Sequence, residues 1–303
     1  MNVISKMLGF KSKSLAADKS DKVGRVLVFI YLALFFCFLV LPLFALMSKS
    51  MQNADGVFIG LENFAVYLQD PTLFKSFFHS LFVAFVSTVI VVFLGFLYAF
   101  ALQCTCIPYK GFFRVVSLIP LLSPSILAAI ALVYWFGNQG VFKDLLLGNS
   151  IYGPIGIIMA SVYWTFPHAL MILSTSLSLS DARLYEASDA LKASKLRTFF
   201  TVTVPGAKYG IISTTFVVFI LVFTDFGVPK VIGGNYNVLA TDIYREVVGM
   251  QNFQMGAVIS IVLLVPALIA FAFDQFFRKR QASQLTSRAV VYVPKPHKMR
   301  DNL

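Results

Sequence analysis

Six long apolar stretches, residues 26–47, 80–103, 115–136, 153–177, 205–224 and 255–277, constrain this chain more than any other feature. Each has about the twenty-residue length that carries a helix across the hydrocarbon core of a bilayer. Inside lipid every backbone polar group must be paired within the protein, which leaves helices and closed barrels as the possible spans. A membrane barrel would show ten-residue segments of alternating polarity. That alternation is missing, so the spans are expected to be helices. The composition agrees: 13% of residues are charged, about half the share usual in a soluble domain, and the mean hydropathy is +0.80.

The charges that remain lie between the stretches and are unevenly shared. Lys and Arg number six in residues 1–25, two in 104–114, five in 178–208 and seven from Arg278 onward, twenty in all, against five in the three intervening loops. This positive-inside bias places both termini and the 178–208 loop in the cytoplasm. It also explains the net charge of +11 without nucleic acid, and no nucleic-acid partner is expected. The apolar run after the basic residues 1–25 is too long for a signal peptide and lacks a small-residue cleavage site, so it reads as a retained first span. Cys37, Cys104 and Cys106 make no disulfide framework, and Cys104 and Cys106 lack the neighbouring ligands of a metal site. The expected fold is all-α and integral to the membrane, with six transmembrane helices.

One segment does not fit a chain of apolar spans. "YEASDALKASKLRTFFTVTVPGAKYG", from Tyr185 to Gly210, is polar and carries both signs of charge. Ser178 to Asp181 has the pattern of a capping box, predicting a short helix from there. Leu184, Ala187 and Leu191 then share one face. Ser194 is placed to cap a second short helix running to Phe199 or Phe200, and Pro205 suits the first turn of the next span. Such a pair of helices either lies on the lipid surface or docks into a groove on a partner. The small Ala187, Ala190 and Ala193 favour close packing on a protein.

The residues Glu186-Ala187-Ser188, Ala193-Ser194 and Val202-Thr203-Val204-Pro205 resemble the EAA loop of binding-protein-dependent ABC importer permeases. The proline falls at the family's distance from Glu186, and the loop precedes the penultimate span, as it does there. Where the family has glycine this chain has Lys192. The glycine occupies the turn between the two helices, where a left-handed backbone is easiest without a side chain. Lysine in that conformation costs on the order of 1 kcal/mol. The resemblance runs over roughly residues 26–280. The stretch "TDFGVPKVIGGNYNVLATDIYREVVGMQNFQMGAV" is similar to permeases of the iron(III) and 2-aminoethylphosphonate group, closer to the phosphonate members. The basic tail looks like the linker that joins the halves of fused permeases in that group.

The resemblance implies a MetI-like core over residues 26–277, with a cytoplasmic basic segment at 1–25, a coupling loop at 178–208 and a basic cytoplasmic tail or linker at 278–303. It implies a multi-pass protein of the bacterial inner membrane that works with a cytoplasmic ABC ATPase dimer, a second permease subunit or half, and a periplasmic substrate-binding protein. No cofactor is expected on this chain, since ATP and Mg belong to the ATPase. The coupling loop would use Glu186, Ala187, Ser188, Leu191, Lys192, Ala193, Ser194 and Pro205. Glu186 would contact the ATPase or hold the loop by a local hydrogen bond. Ala187 and Leu191 would fill the ATPase cleft, and Pro205 would fix the exit into span five. The substrate implied is 2-aminoethylphosphonate or a related phosphonate, with iron(III) or another small solute as the alternative.

Candidate residues along the translocation path are Pro124, His168, Asp225 and Lys230. Pro120 and Pro124 mark a kink or a broken helix. His79 and His168 read as packing histidines before they read as substrate contacts. Asp225 and Lys230 flank the outer end of span five, as a gate or as a local ion pair. No catalytic residue is expected: the chain has no metal-ligand cluster, paired intramembrane carboxylates, nucleophile elbow or P-loop. An ion-coupled carrier would keep carboxylates at mid-membrane, whereas Asp274 lies near a cytoplasmic end.

Overall fold

The computed structural model describes residues 19–284, most of it helical. Most of the basic N-terminal segment and of the tail 278–303 lies outside the described residues. Among the described residues four helices are long and apolar enough to cross a membrane: α1 (Val23–Ser50), α3 (Pro71–Cys104), α6 (Pro154–Ser178) and α12 (Phe253–Gln284). Two bent pairs bring the number to six if each is counted as one span. One joins α4 (Lys110–Leu122) to α5 (Ser125–Phe136) at 102°; the other joins α8 (Lys195–Gly206) to α9 (Lys208–Phe223) at 62°. Four of the six expected spans are thus single helices, and the third and the fifth correspond to bent pairs.

The break in the third has a local cause. Pro120 lies in a 3-10 turn, and Ser123, ahead of Pro124, is extended at ψ 141°. A residue before proline is pushed out of the helical region by the ring. Pro124 follows at ψ 153° and stands as the N-cap of α5. In the fifth, Pro205 is placed in the last turn of α8, before the bend at Ala207, and not in the first turn of the span itself.

The core is built by α3, α6, α9 and α12, with α9 packed against the other three. Asp70 starts α3 by accepting hydrogen bonds from the backbone N–H of Thr72 and Leu73. Pro71 follows, where a missing N–H leaves no donor unpaired. The 34 residues of α3 reach about 51 Å at 1.5 Å per residue, well beyond a bilayer core of about 30 Å. Its buried side is a row of small or slim residues at helical spacing, among them Ser76, Ser80, Ala84, Ser87, Val91, Gly95 and Ala99. Small residues let helix backbones approach closely in lipid, where burial supplies little drive for association. At Gly210 of α9 the approach is very close, because a Cβ there would fall 2.3 Å from Ser176 Cβ of α6. By contrast α1 exposes nearly every apolar side chain and meets the core chiefly through its C-terminal part against α12.

Three short helices lie in segments read from the sequence as loops: α2 (Glu62–Gln69), α10 (Gly227–Ile232) and α11 (Leu239–Tyr244). Each is shorter than the window over which helical periodicity can be read. The last of the short helices, α7 (Ala182–Ala190), forms a hairpin with α8.

Candidate functional site

The hairpin α7–α8 lies between two core helices, following α6 and leading into α9. Its cap corrects the capping-box expectation. Asp181 caps α7 by accepting from Arg183 N at 3.1 Å, while Ser178 ends α6 and donates its hydroxyl to Thr175 O. Ser194 does cap the second helix, accepting from Arg197 N at 3.3 Å. That helix runs regularly to Thr198 and continues as a π-helical turn through Phe199–Thr203.

The turn between the helices closes with Ala193 N donating to Ser188 O at 3.1 Å and Lys192 N donating to Asp189 O at 3.0 Å. These are the two bonds of a Schellman motif, which needs a left-handed residue between them. That residue is Lys192, at φ 52°. An exposed ion pair, Lys195 Nζ to Asp189 Oδ1 at 2.9 Å, crosses the same turn. At such exposure it contributes little.

The hairpin turns polar groups inward and apolar groups outward. Ser188 Oγ and Thr198 Oγ1 share a hydrogen bond of 2.6 Å, and the Tyr185 hydroxyl donates to Thr203 Oγ1 at 3.1 Å. All four residues are buried. Outside, Leu191 is 82% and Leu196 72% exposed, and Leu184 and Phe200 are also largely exposed. Glu186 and Ala187 lie on the exposed side, and Glu186 makes no side-chain hydrogen bond or ion pair among the described residues. The sequence named Ser188 only as a replacement for alanine. Its partner Thr198, and the pair Tyr185–Thr203, were missed; their only signal was a run of hydroxyl residues at spacings that become meaningful once the chain turns back on itself.

The translocation-path residues fall into three separate settings. Pro124 and Asp225 come together: Ser125, next to Pro124, donates its hydroxyl to Asp225 Oδ1 at 2.7 Å, and Asp225 Oδ2 accepts from Val228 N at 2.9 Å. The carboxylate thus ties the break between α4 and α5 to the start of α10. Burial pushes its pKa above the usual carboxylate range, opposed by the Ser125 hydroxyl and the N–H groups of Val228 and Gly227. Lys230, read alongside it as a possible ion-pair partner, is directed elsewhere, with Nζ 4.2 Å from the centre of the Tyr244 ring. His168 packs edge-on against Trp164 of its own helix, ring centres 5.7 Å apart. His79 stacks on Tyr236 at 3.8 Å, and its Nδ1 lies 2.9 Å from Asn237 O. Asp274, buried on α12, accepts a hydrogen bond of 2.6 Å from Ser213 of α9.

Comparison with known proteins agrees with this architecture. The family described as "Binding-protein-dependent transport system inner membrane component" matches residues 108–283, which include the hairpin. The ferric transport system permease protein FbpB of Actinobacillus pleuropneumoniae is 30% identical over 275 residues, covering 86% of this chain and 38% of that protein. The chain thus spans about two fifths of the length of the ferric relatives it matches. The spermidine/putrescine transport system permease protein PotB of Escherichia coli is 26% identical, covering 75% of this chain and 88% of its own. Among solved structures, a chain of a bacterial alginate ABC transporter in complex with an alginate pentasaccharide-bound periplasmic protein superposes with a TM-score of 0.66 at 14% identity, over 90% of this chain and 98% of that one. A chain of the MetNI methionine ABC transporter gives 0.56 at 18% identity, over 69% and 95%. With an all-helical membrane core, a helical hairpin before the penultimate span, and a family match over more than half its length, this chain belongs to the inner-membrane permease components of binding-protein-dependent transport systems.

Proposed function

We propose that the chain forms half of the translocation path of an ATP-driven importer and receives the power stroke through the α7–α8 hairpin. The observation that carries this is the inverted polarity of the hairpin. A surface element that buries four hydroxyl residues and exposes Leu184, Leu191, Leu196 and Phe200 leaves an apolar edge that another surface must cover. On this reading the cover is a cleft on a cytoplasmic ABC ATPase. Leu191 and Ala187 enter the cleft, Glu186 makes a polar contact at its rim, and Lys192, Ala193 and Ser194 shape the turn between them. Closure of the ATPase dimer around ATP and Mg then moves the hairpin. Through the bend at Ala207 that motion reaches α9, the helix at the centre of the core. Nucleotide and substrate would bias one two-state element from separate sites. Both termini and the hairpin face the cytoplasm, the second half is another permease chain or domain, and a periplasmic binding protein delivers substrate.

The substrate proposed is 2-aminoethylphosphonate or a related phosphonate, on the resemblance of the segment from Thr224 to Val258. Iron(III) or a polyamine is the second reading, favoured by the names of the relatives at 30% and 26% identity. One experiment tests both levels. The chain is reconstituted with its ATPase and binding protein, and ATP hydrolysis is measured with 2-aminoethylphosphonate, iron(III) or spermidine. Stimulation is expected with the phosphonate, and its loss in Glu186→Lys. Stimulation by iron(III) or spermidine alone would replace the substrate and keep the importer. Full hydrolysis in Glu186→Lys would remove that residue from the contact.

A further inference from the structure

At the end of the bundle away from the hairpin, a cavity of about 320 Å³ between α10 and α11 is lined by charges of both signs, with Lys230, Tyr236, Thr241, Asp242, Tyr244 and Arg245 among its walls. Asp242 is 1% exposed. Its Oδ1 meets Arg245 Nη1 at 3.3 Å, while Oδ2 has no hydrogen-bond partner. Arg245 is shared, because its Nη2 also lies 3.3 Å from Glu246 Oε1. Two carboxylates therefore share one guanidinium, and the Ser76 side chain also hydrogen-bonds the Asp242 carboxyl. Lys230 supplies the opposite sign. It is exposed, it has no carboxylate partner among the described residues, and its ammonium is held over the Tyr244 ring.

A buried carboxylate oxygen without a partner is costly, and a cation held without a counter-ion beside it leaves room for an anionic group. We propose that this cavity binds a small zwitterion, its oxyanion on Lys230 and its ammonium on Asp242 Oδ2. The Tyr244 ring braces the lysine, and Tyr236, fixed by stacking on His79, forms the facing wall. The site rests on the importer reading for its place on the outer side, where a solute released by a binding protein would arrive. It adds to that reading a place for each end of the solute, the oxyanion on Lys230 and the amine on Asp242, and disfavours an anion or a polycation alone.

The test is direct binding to the full chain assembled with its ATPase in lipid nanodiscs. The probes are 2-aminoethylphosphonate, ethylphosphonate and ethylamine. The zwitterion is expected to bind at least about tenfold tighter than either half-probe, since each loses one charge-assisted contact. Lys230→Met should abolish the advantage over ethylamine, and Asp242→Asn the advantage over ethylphosphonate. Because Lys230 is exposed, its variant tests the site without disturbing the core. Equal binding of the three probes, or a preference that survives both substitutions, overturns the site. Absence of zwitterion binding in an assembly whose ATPase still responds to loaded binding protein overturns the site and spares the importer reading. Selective binding by a chain that couples to no ATPase would do the reverse.

Discussion

Lys192 shows how one residue can carry a cost that its neighbours hold in place. Its left-handed backbone, φ 52°, is fixed by the two hydrogen bonds that close the hairpin turn. A side chain there costs about 1–2 kcal/mol, while glycine would lose about 0.5–1 kcal/mol in chain entropy on folding. Lys192→Gly is therefore expected to stabilise the protein by up to about 1 kcal/mol, read as a small rise in Tm in detergent. A fall in Tm would mean that the lysine makes a contact worth more than the strain.

Asp225 is the second residue whose setting decides its behaviour. Burial raises its folded pKa above the ordinary value. The folded state then holds the proton more tightly than the unfolded state, so this group's contribution is fully present below the unfolded pKa and is lost as pH rises through the folded one. Asp225→Asn can keep one bond to Ser125 and one to Val228 N, and removes the titration. The stability of the native protein relative to this variant should fall as pH rises from about 4 toward neutrality. Asp225→Ala, which leaves Ser125 and Val228 N unpaired, should cost about 1–3 kcal/mol at any pH. Thermal melts of the three proteins across that range check both statements, and parallel curves for Asp and Asn would sink the first.

Among elements, α9 is the one on which the rest depends. It begins at the bend after the hairpin and packs on α3, α6 and α12. Gly210, in its first turn, touches Ser176 so closely that an added methyl group forces the helices apart. Gly210→Ala is expected to destabilise by about 1–3 kcal/mol through overpacking and to reduce ATP-stimulated transport more than ATPase assembly. Gly210→Ala with Ser176→Gly should recover much of the loss, because the colliding atoms are gone. Failure of the double variant to recover would place the effect in the backbone of α9 and not in the helix contact. The hairpin itself was legible as an element: two short helices, a turn at Lys192, a cap at Ser194 and an outward face of Leu184, Ala187 and Leu191. Its first cap was misplaced because Ser178 is spent as the last residue of α6.

For the whole molecule, the proposed topology puts the hairpin in the cytoplasm and the α10–α11 region on the outer side, as the uneven distribution of Lys and Arg predicts. Cysteine labelling tests this once Cys37, Cys104 and Cys106 are replaced by serine. Leu191→Cys, on the exposed tip, is expected to react with a membrane-impermeant maleimide only in inside-out vesicles. Met250→Cys, exposed beyond α11, is expected to react only in right-side-out ones. The reverse pattern would invert the topology and with it the ATPase contact.

The sequence by itself determined the class of fold and the family, because these rest on properties local in the chain: apolar length, flanking charge and a motif of fixed spacing. It also located the strained turn at Lys192. What it could not determine were relations between residues distant in the chain. Ser125 meets Asp225 across the break in the third span, Ser188 meets Thr198 across the hairpin, and Lys230 turns to Tyr244 and away from Asp225. The 102° bend was signalled by Pro120 and Pro124, but its size was not. Proline removes a donor and restricts its neighbour locally, whereas the angle that results is set by what the two halves pack against. Tertiary structure alone made that choice, and with it placed Asp242 and Lys230 around one cavity.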